Sequence, residues 1–118
     1  MSNWLETIKR GCELQDKHGF TRTSYSRVMR EGHFVAVRWL LPFDKENPEV
    51  VKRVQALCAD QLEMVIEQGF IPYKTPVWAI RKLEELADPN WVKLHQRIKE
   101  MLDPNNILNP GRWGAPRE

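Results

Sequence analysis

At three places in this chain, a residue that can cap a helix stands directly before a proline. The pairs are Asn47-Pro48, Thr75-Pro76 and Asp88-Pro89. Their side-chain oxygens can accept hydrogen bonds from the N–H groups of a first helical turn, and the fixed φ of proline suits that turn. Apolar residues recur at helical spacing after each pair. The pattern predicts a long helix to Gly69, a short helix to about Leu86, and a third that stops at Asp103, because Pro104 disfavours a helical residue before it.

The residues before the first pair carry one helical pattern and two strand patterns. Apolar spacing predicts a helix over 3–18, although Gly11 in its middle costs about 1 kcal/mol relative to alanine. Residues 21–29 are rich in Thr, Ser, Tyr and Val, which favours a strand, and Arg30-Glu31-Gly32 predicts a turn. Residues 33–43 alternate, and their odd positions form one apolar face: Val35, Val37, Trp39, Leu41 and Phe43. We therefore expect an antiparallel hairpin at about 21–43.

The order of these elements predicts an α+β fold, in which the hairpin is covered by amphipathic helices. The length of 118 residues suits a single domain over 1–118. A sheet of two strands is marginal in water, so we expect another chain to complete it and a homo-oligomer to be possible.

Composition excludes several classes of function. The 18 basic and 16 acidic residues are spread along the chain without a basic block, which argues against a nucleic-acid partner. Cys12 and Cys58 stand far apart, so neither a disulfide framework nor a metal site is expected, and a reducing compartment is the better interpretation. No apolar run is long enough for a membrane span, and the N-terminal residues do not have the pattern of a leader. We therefore expect a cytoplasmic location.

Two short motifs carry the functional information. One is Pro72-Tyr73-Lys74-Thr75, and the other runs from Leu102 to Arg112 and reads Leu-Asp-Pro-Asn-Asn-Ile-Leu-Asn-Pro-Gly-Arg. The two prolines of the second motif and its Ile107-Leu108 pair predict an ordered tail, docked rather than frayed, that delivers the guanidinium of Arg112.

At this separation, the two motifs resemble the C-terminal part of FAD-linked oxidases of the vanillyl-alcohol oxidase and p-cresol methylhydroxylase type. The resemblance covers roughly residues 3–114. It implies part of a ferredoxin-like cap domain with an extended C-terminal tail, packed over the flavin of an FAD cofactor. It also implies that a separate FAD-binding domain or subunit, absent from these residues, holds FAD. In keeping with this, none of the six glycines is spaced to cradle a pyrophosphate.

The resemblance also assigns roles to particular residues. Tyr73 matches the tyrosine that hydrogen-bonds a phenolic substrate oxygen, and Lys74 stands where the family usually has arginine. Arg112 matches a terminal cation that reaches back to the active site, and Asn109 is assigned with Lys74 and Arg112 to cofactor contact. His33 is close to a position where relatives carry a histidine at the start of a strand. A lysine supplies a point charge without the planar fork of arginine, so substrate orientation should be less strict.

The function implied is that of a substrate or cap subunit, or a fragment, of an FAD-dependent oxidoreductase, inactive as this chain alone. Hydride would pass to flavin from a phenolic or hydroxyl-bearing small molecule. Two alternatives stay open. The chain could be the cap of a 2-hydroxy acid dehydrogenase, with the cations on the substrate carboxylate, or a non-catalytic α+β module that self-associates through its hairpin. A purely local interpretation of Tyr73 and Lys74 is a turn after Pro72 with the lysine in solvent.

Overall fold

In the computed structural model, the described residues are 4–72 and 74–112, apart from the side chain of Arg30. The chain divides into two compact units, residues 1–73 and 74–118. The first unit holds α1 (Trp4–Lys17), β1 (Ser24–Met29), a 3-10 turn (Arg30–Gly32), β2 (Phe34–Trp39) and α2 (Pro48–Glu67). The second holds α3 (Val77–Leu86) and α4 (Pro89–Leu102). The α+β class is confirmed, with an antiparallel two-stranded hairpin. The ferredoxin-like arrangement and the single domain stay predictions.

The glycine in the middle of α1 is explained by its contact with the hairpin. A Cβ atom added at Gly11 would lie 2.2 Å from Cε2 of Trp39, so only glycine lets the indole ring lie directly on the helix. The indole Nε1 of Trp39 also donates a hydrogen bond of 3.4 Å to the carbonyl of Ile8. The low helix propensity of this position is therefore offset by packing between α1 and β2.

The hairpin is shorter than the predicted 21–43, because a buried glutamine of α1 binds the chain where the ladder ends. Gln15 Oε1 accepts from the Thr23 N–H at 3.0 Å, and Gln15 Nε2 donates to the Leu40 carbonyl at 3.1 Å. The Leu40 N–H still donates to the Thr23 carbonyl at 2.9 Å, but Gln15 takes the groups of the reciprocal bond, and the regular ladder ends at Ser24 opposite Trp39. The tight turn between the strands places Glu31 at φ 56°, a left-handed conformation.

The first cap pair behaves as predicted. Asn47 Oδ1 accepts from the N–H groups of Glu49 at 3.1 Å and Val50 at 3.3 Å, and α2 then runs to a left-handed Gly69 at φ 77°. Leu57 and Met64 of α2 are buried and form the core of the first unit with Leu62. No helix of the described residues is long and apolar enough to cross a membrane.

The second unit begins differently from its prediction. The Thr75-Pro76 pair does not cap α3 with a side chain, because Pro76 itself occupies the N-cap position and has no side-chain oxygen. The third pair does act as a cap, since Asp88 Oδ1 accepts from the N–H of Asn90 at 2.8 Å. Ala79 and Ile80 of α3 are buried, whereas α4 has no buried residue.

Candidate functional site

The end of α4 and the tail after it are joined by one carboxylate. Asp103 Oδ1 accepts from the Ile107 N–H at 2.9 Å, and Asp103 Oδ2 accepts from the Leu108 N–H at 2.8 Å. The ammonium group of Lys99, one turn earlier on α4, pairs with the same carboxylate and also donates to the Leu108 carbonyl. Asp103 is only 7% exposed. The residue that the sequence predicts merely as a helix stop therefore organises the tail.

Ion pairing and hydrogen bonding together lower the pKa of Asp103. The largest cause is the hydrogen bond from Lys99, and the N–H groups of Ile107 and Leu108 act in the same direction, while burial opposes them. The carboxylate is therefore ionised at neutral pH and available as an acceptor for all three donors.

Two asparagines turn the tail back on itself. Asn106 and Asn109 adopt left-handed conformations with φ of 49° and 48°, which asparagine tolerates better than most other residues. The Asn106 N–H donates to the Asp103 carbonyl at 3.0 Å, and the Arg112 N–H donates to the Asn109 carbonyl at 3.1 Å. The spacing of the two asparagines in the second motif thus encodes two successive turns.

The tail delivers the guanidinium of Arg112 to the beginning of the second unit. Arg112 Nη1 donates a hydrogen bond of 3.1 Å to the carbonyl of Thr75. Lys74 is the residue before Thr75, and its side chain is exposed. Within the described residues, neither cation has an acidic partner. The two sequence motifs therefore contact each other at Thr75, next in sequence to an exposed lysine.

A groove of about 380 Å³ runs between α4 and the tail. Ile98, Leu102 and Leu108 provide apolar wall, and Asn109 and Arg112 provide polar groups. His95 also lines the groove, and its ring centroid lies 3.9 Å from that of Trp91. The arrangement offers an apolar surface beside the guanidinium of Arg112 and the ion pair of Lys99 with Asp103.

The predicted site residues are distributed as follows. Arg112 and Asn109 lie together on the groove, and Lys74 is next in sequence to the carbonyl that Arg112 binds. Tyr73 lies outside the described residues. His33 is exposed and lies between the 3-10 turn and β2, in the first unit. Lys99 is not among the predicted site residues; the signal that could have identified it is a lysine four residues before an aspartate at a helix end.

Comparison with known proteins decides the family. The model for FAD linked oxidases, C-terminal domain, matches residues 2–113. The chain belongs to this family. The FAD linked oxidase C-terminal domain described here is also 35% identical over 72 residues to the 4-cresol dehydrogenase [hydroxylating] flavoprotein subunit of Pseudomonas putida. That alignment covers 61% of this chain and 14% of the relative, so the chain spans a small part of that subunit. No solved structure matches.

Both matches point to FAD as the cofactor. The described glycines do not form a pyrophosphate cradle, since they stand singly in the sequence and Gly11 is covered by Trp39. Among the described residues, no cluster of His, Cys, Asp and Glu could hold a metal ion. Exposed cations, in contrast, suit the edge of a flavin where negative charge accumulates on reduction. The chain therefore fits contact with a flavin that is held mainly by other residues.

Proposed function

We propose that this chain is the substrate-side part of an FAD-dependent oxidoreductase that oxidises a phenolic or hydroxyl-bearing small molecule. The observation that carries the proposal is the hydrogen bond from Arg112 to the Thr75 carbonyl. It brings the cation of the tail to the segment that contains Lys74, and a second cation from that segment would add to the stabilisation of bound or developing negative charge.

Each side chain has a distinct role in this proposal. Tyr73 would donate a hydrogen bond to the substrate oxygen and favour its anionic form. Lys74 and Arg112 would compensate the charge of the substrate and of the reduced cofactor, while Asn109 would add an amide contact. When bound, FAD supplies the hydride acceptor, and the protein supplies orientation and electrostatics. His33 would approach the substrate only in the complete enzyme.

An FAD-binding domain or subunit is the partner that this role requires. The second unit supports such a partner because α4 leaves large apolar side chains exposed to solvent. They include Leu94 at 54%, Met101 at 72% and Leu102 at 69% exposure. Apolar surface of this extent is typical of a face that another protein surface covers.

The two exposed cations also favour a second substrate class. A 2-hydroxy acid carries a carboxylate, which a guanidinium binds with two parallel hydrogen bonds. In that enzyme Lys74 and Arg112 would hold the carboxylate, and the hydroxyl-bearing carbon would give up the hydride. The same cations would therefore compensate the charge of a phenolate and of the reduced cofactor for one substrate class, and bind a carboxylate for the other.

The test is to purify the chain together with its FAD-binding domain or subunit, record the flavin absorbance, and assay the protein with an artificial dye as acceptor. The substrates are 4-cresol, a benzylic alcohol and lactate. Lys74→Ala should lower turnover about 10- to 100-fold without loss of flavin, whereas Lys93→Ala, an exposed lysine of α4, should not. A colourless protein that self-associates through the hairpin would instead support the non-catalytic module.

A further inference from the structure

We propose that Asp103 and Lys99 are positioning residues that hold Arg112 at its working place. Neither side chain needs to touch substrate or cofactor. Their effect passes through the tail, whose backbone they bind four residues before Arg112. The inference rests on the proposed function of Arg112 and adds the means by which that guanidinium is placed.

Apolar side chains do not hold the tail in place. The Ile107-Leu108 pair was expected to anchor it, but Ile107 is 74% exposed and Leu108 is 64% exposed. Burial of these side chains therefore contributes little to docking within this chain. The polar contacts remain, and they are concentrated on Asp103.

Those contacts bind the tail backbone immediately after the first turn. The carboxylate accepts hydrogen bonds from the N–H groups of Ile107 and Leu108, and Lys99 donates one to the carbonyl of Leu108. Both groups of the ion pair are shielded, since the side chains of Lys99 and Asp103 are 13% and 5% exposed. A carboxylate that is shielded from water and accepts several hydrogen bonds holds its partners more rigidly than a surface ion pair does.

These contacts fix Leu108, and a single turn of the tail lies between Leu108 and Arg112. Left-handed Asn109 reverses the chain, and its carbonyl binds the Arg112 N–H. The side chain of Arg112 then reaches the Thr75 carbonyl. Loss of the Asp103 contacts would release Leu108 and, with it, the start of this last turn.

A double-mutant cycle on the complete flavoprotein tests this relationship. Asp103→Asn removes the charge and replaces one acceptor oxygen by an amide that cannot accept from an N–H. If Asp103 acts through Arg112, Asp103→Asn should lower turnover about 10-fold. It should also change kcat and KM in the same proportion as Arg112→Ala does. In the Arg112→Ala protein it should cause no further loss. Glu100→Gln, an exposed change on α4, is the matched control.

A second measurement follows the tail without reference to activity. Trypsin cleaves after arginine, and the rate of cleavage at the Arg112–Trp113 bond reports how often the tail leaves its place. Asp103→Asn and Lys99→Met should each raise that rate at least several-fold, whereas Glu100→Gln should not. Mass spectrometry distinguishes this cut from others.

The outcomes separate the two proposals. Full activity in Arg112→Ala overturns the proposed function of that residue, whatever Asp103 does. If Arg112→Ala loses activity but Asp103→Asn causes the same additional loss with or without Arg112, the positioning role is wrong. The same conclusion follows if both Asp103→Asn and Lys99→Met leave the cleavage rate unchanged.

Discussion

Arg112 and Thr75 are 37 residues apart in sequence and joined by a hydrogen bond of 3.1 Å. The contact unites the two motifs by which the chain resembles its family, Pro-Tyr-Lys-Thr and Asn-Pro-Gly-Arg. In the proposed function, charge compensation by Arg112 requires the C-terminal tail to be docked against the segment that begins with Lys74.

The first prediction concerns the contact of α1 with the hairpin. Gly11→Ala should destabilise the protein by about 1–3 kcal/mol, because the new Cβ would overlap the indole of Trp39. Alanine is the better helix former by about 1 kcal/mol, so propensity alone predicts the opposite sign. The free energy of unfolding in urea measures the effect. In a Trp39→Ala background the same substitution should stabilise, and a loss in both backgrounds would refute this explanation.

A second prediction concerns the left-handed turn at Asn106. Asn106→Ala should strain the backbone by about 1–2 kcal/mol, because a Cβ without a polar group is disfavoured at φ 49°. Asn106→Gly should be tolerated, since glycine adopts this conformation freely. Tryptic cleavage after Arg112 should accelerate only in the alanine variant. Equal acceleration in both variants would mean that the amide, rather than the backbone conformation, matters.

The third prediction follows from the lowered pKa of Asp103. A carboxyl whose pKa is lower in the folded protein stabilises that state fully above its unfolded pKa of about 3.9, and the stabilisation is lost as pH falls through the folded pKa. The charged or titratable groups near it are Lys99, His95 and Arg112, which line the same groove.

Protection of the Ile107 and Leu108 amides against hydrogen exchange should therefore be constant from neutral pH to about pH 4 and decline in stronger acid, after correction for the intrinsic exchange rate. Asp103→Asn should have low protection throughout and no such decline. Retention of full protection well below the folded pKa in the parent protein would show that the carboxylate does not hold the tail.

The fourth prediction concerns substrate choice. Lys74→Arg would introduce the residue that the family usually has, with a planar fork in place of a point charge. The ratio of kcat/KM for 4-cresol to that for a benzylic alcohol should rise, because a fork restricts the orientation of a phenolate more strictly. An unchanged ratio, with Lys93→Arg as control, would show that Lys74 does not contact the substrate oxygen.

Much of the fold follows from local chemistry. Asn47 and Asp88 cap their helices as predicted, because an N-cap depends on residues within one turn. Thr75 does not cap, because Pro76 takes the N-cap position. The hairpin ends earlier than its alternation suggests, since Gln15, distant in sequence, binds Thr23 and Leu40. Such contacts between elements leave no periodic signal.

The candidate site likewise contains residues that the sequence predicts and one that only the folded structure shows. The family resemblance drew attention to Arg112 and Asn109, and the structure brings both to one groove. Lys99 was not predicted, because a lysine on a helix is in most cases solvated, and only the folded tail shows what it binds. The roles of all five predicted site residues stay predictions: Tyr73, Lys74, Arg112, Asn109 and His33.

The most direct measurement of the central claim is turnover per bound flavin in the complete natural protein with both cations removed. For Lys74→Ala combined with Arg112→Ala, we expect turnover to fall about 100-fold or more while flavin content stays the same. The paired control, Lys93→Ala with Arg97→Ala, removes two exposed charges of α4 and should retain full activity. Parent-level turnover in the first protein would contradict the account.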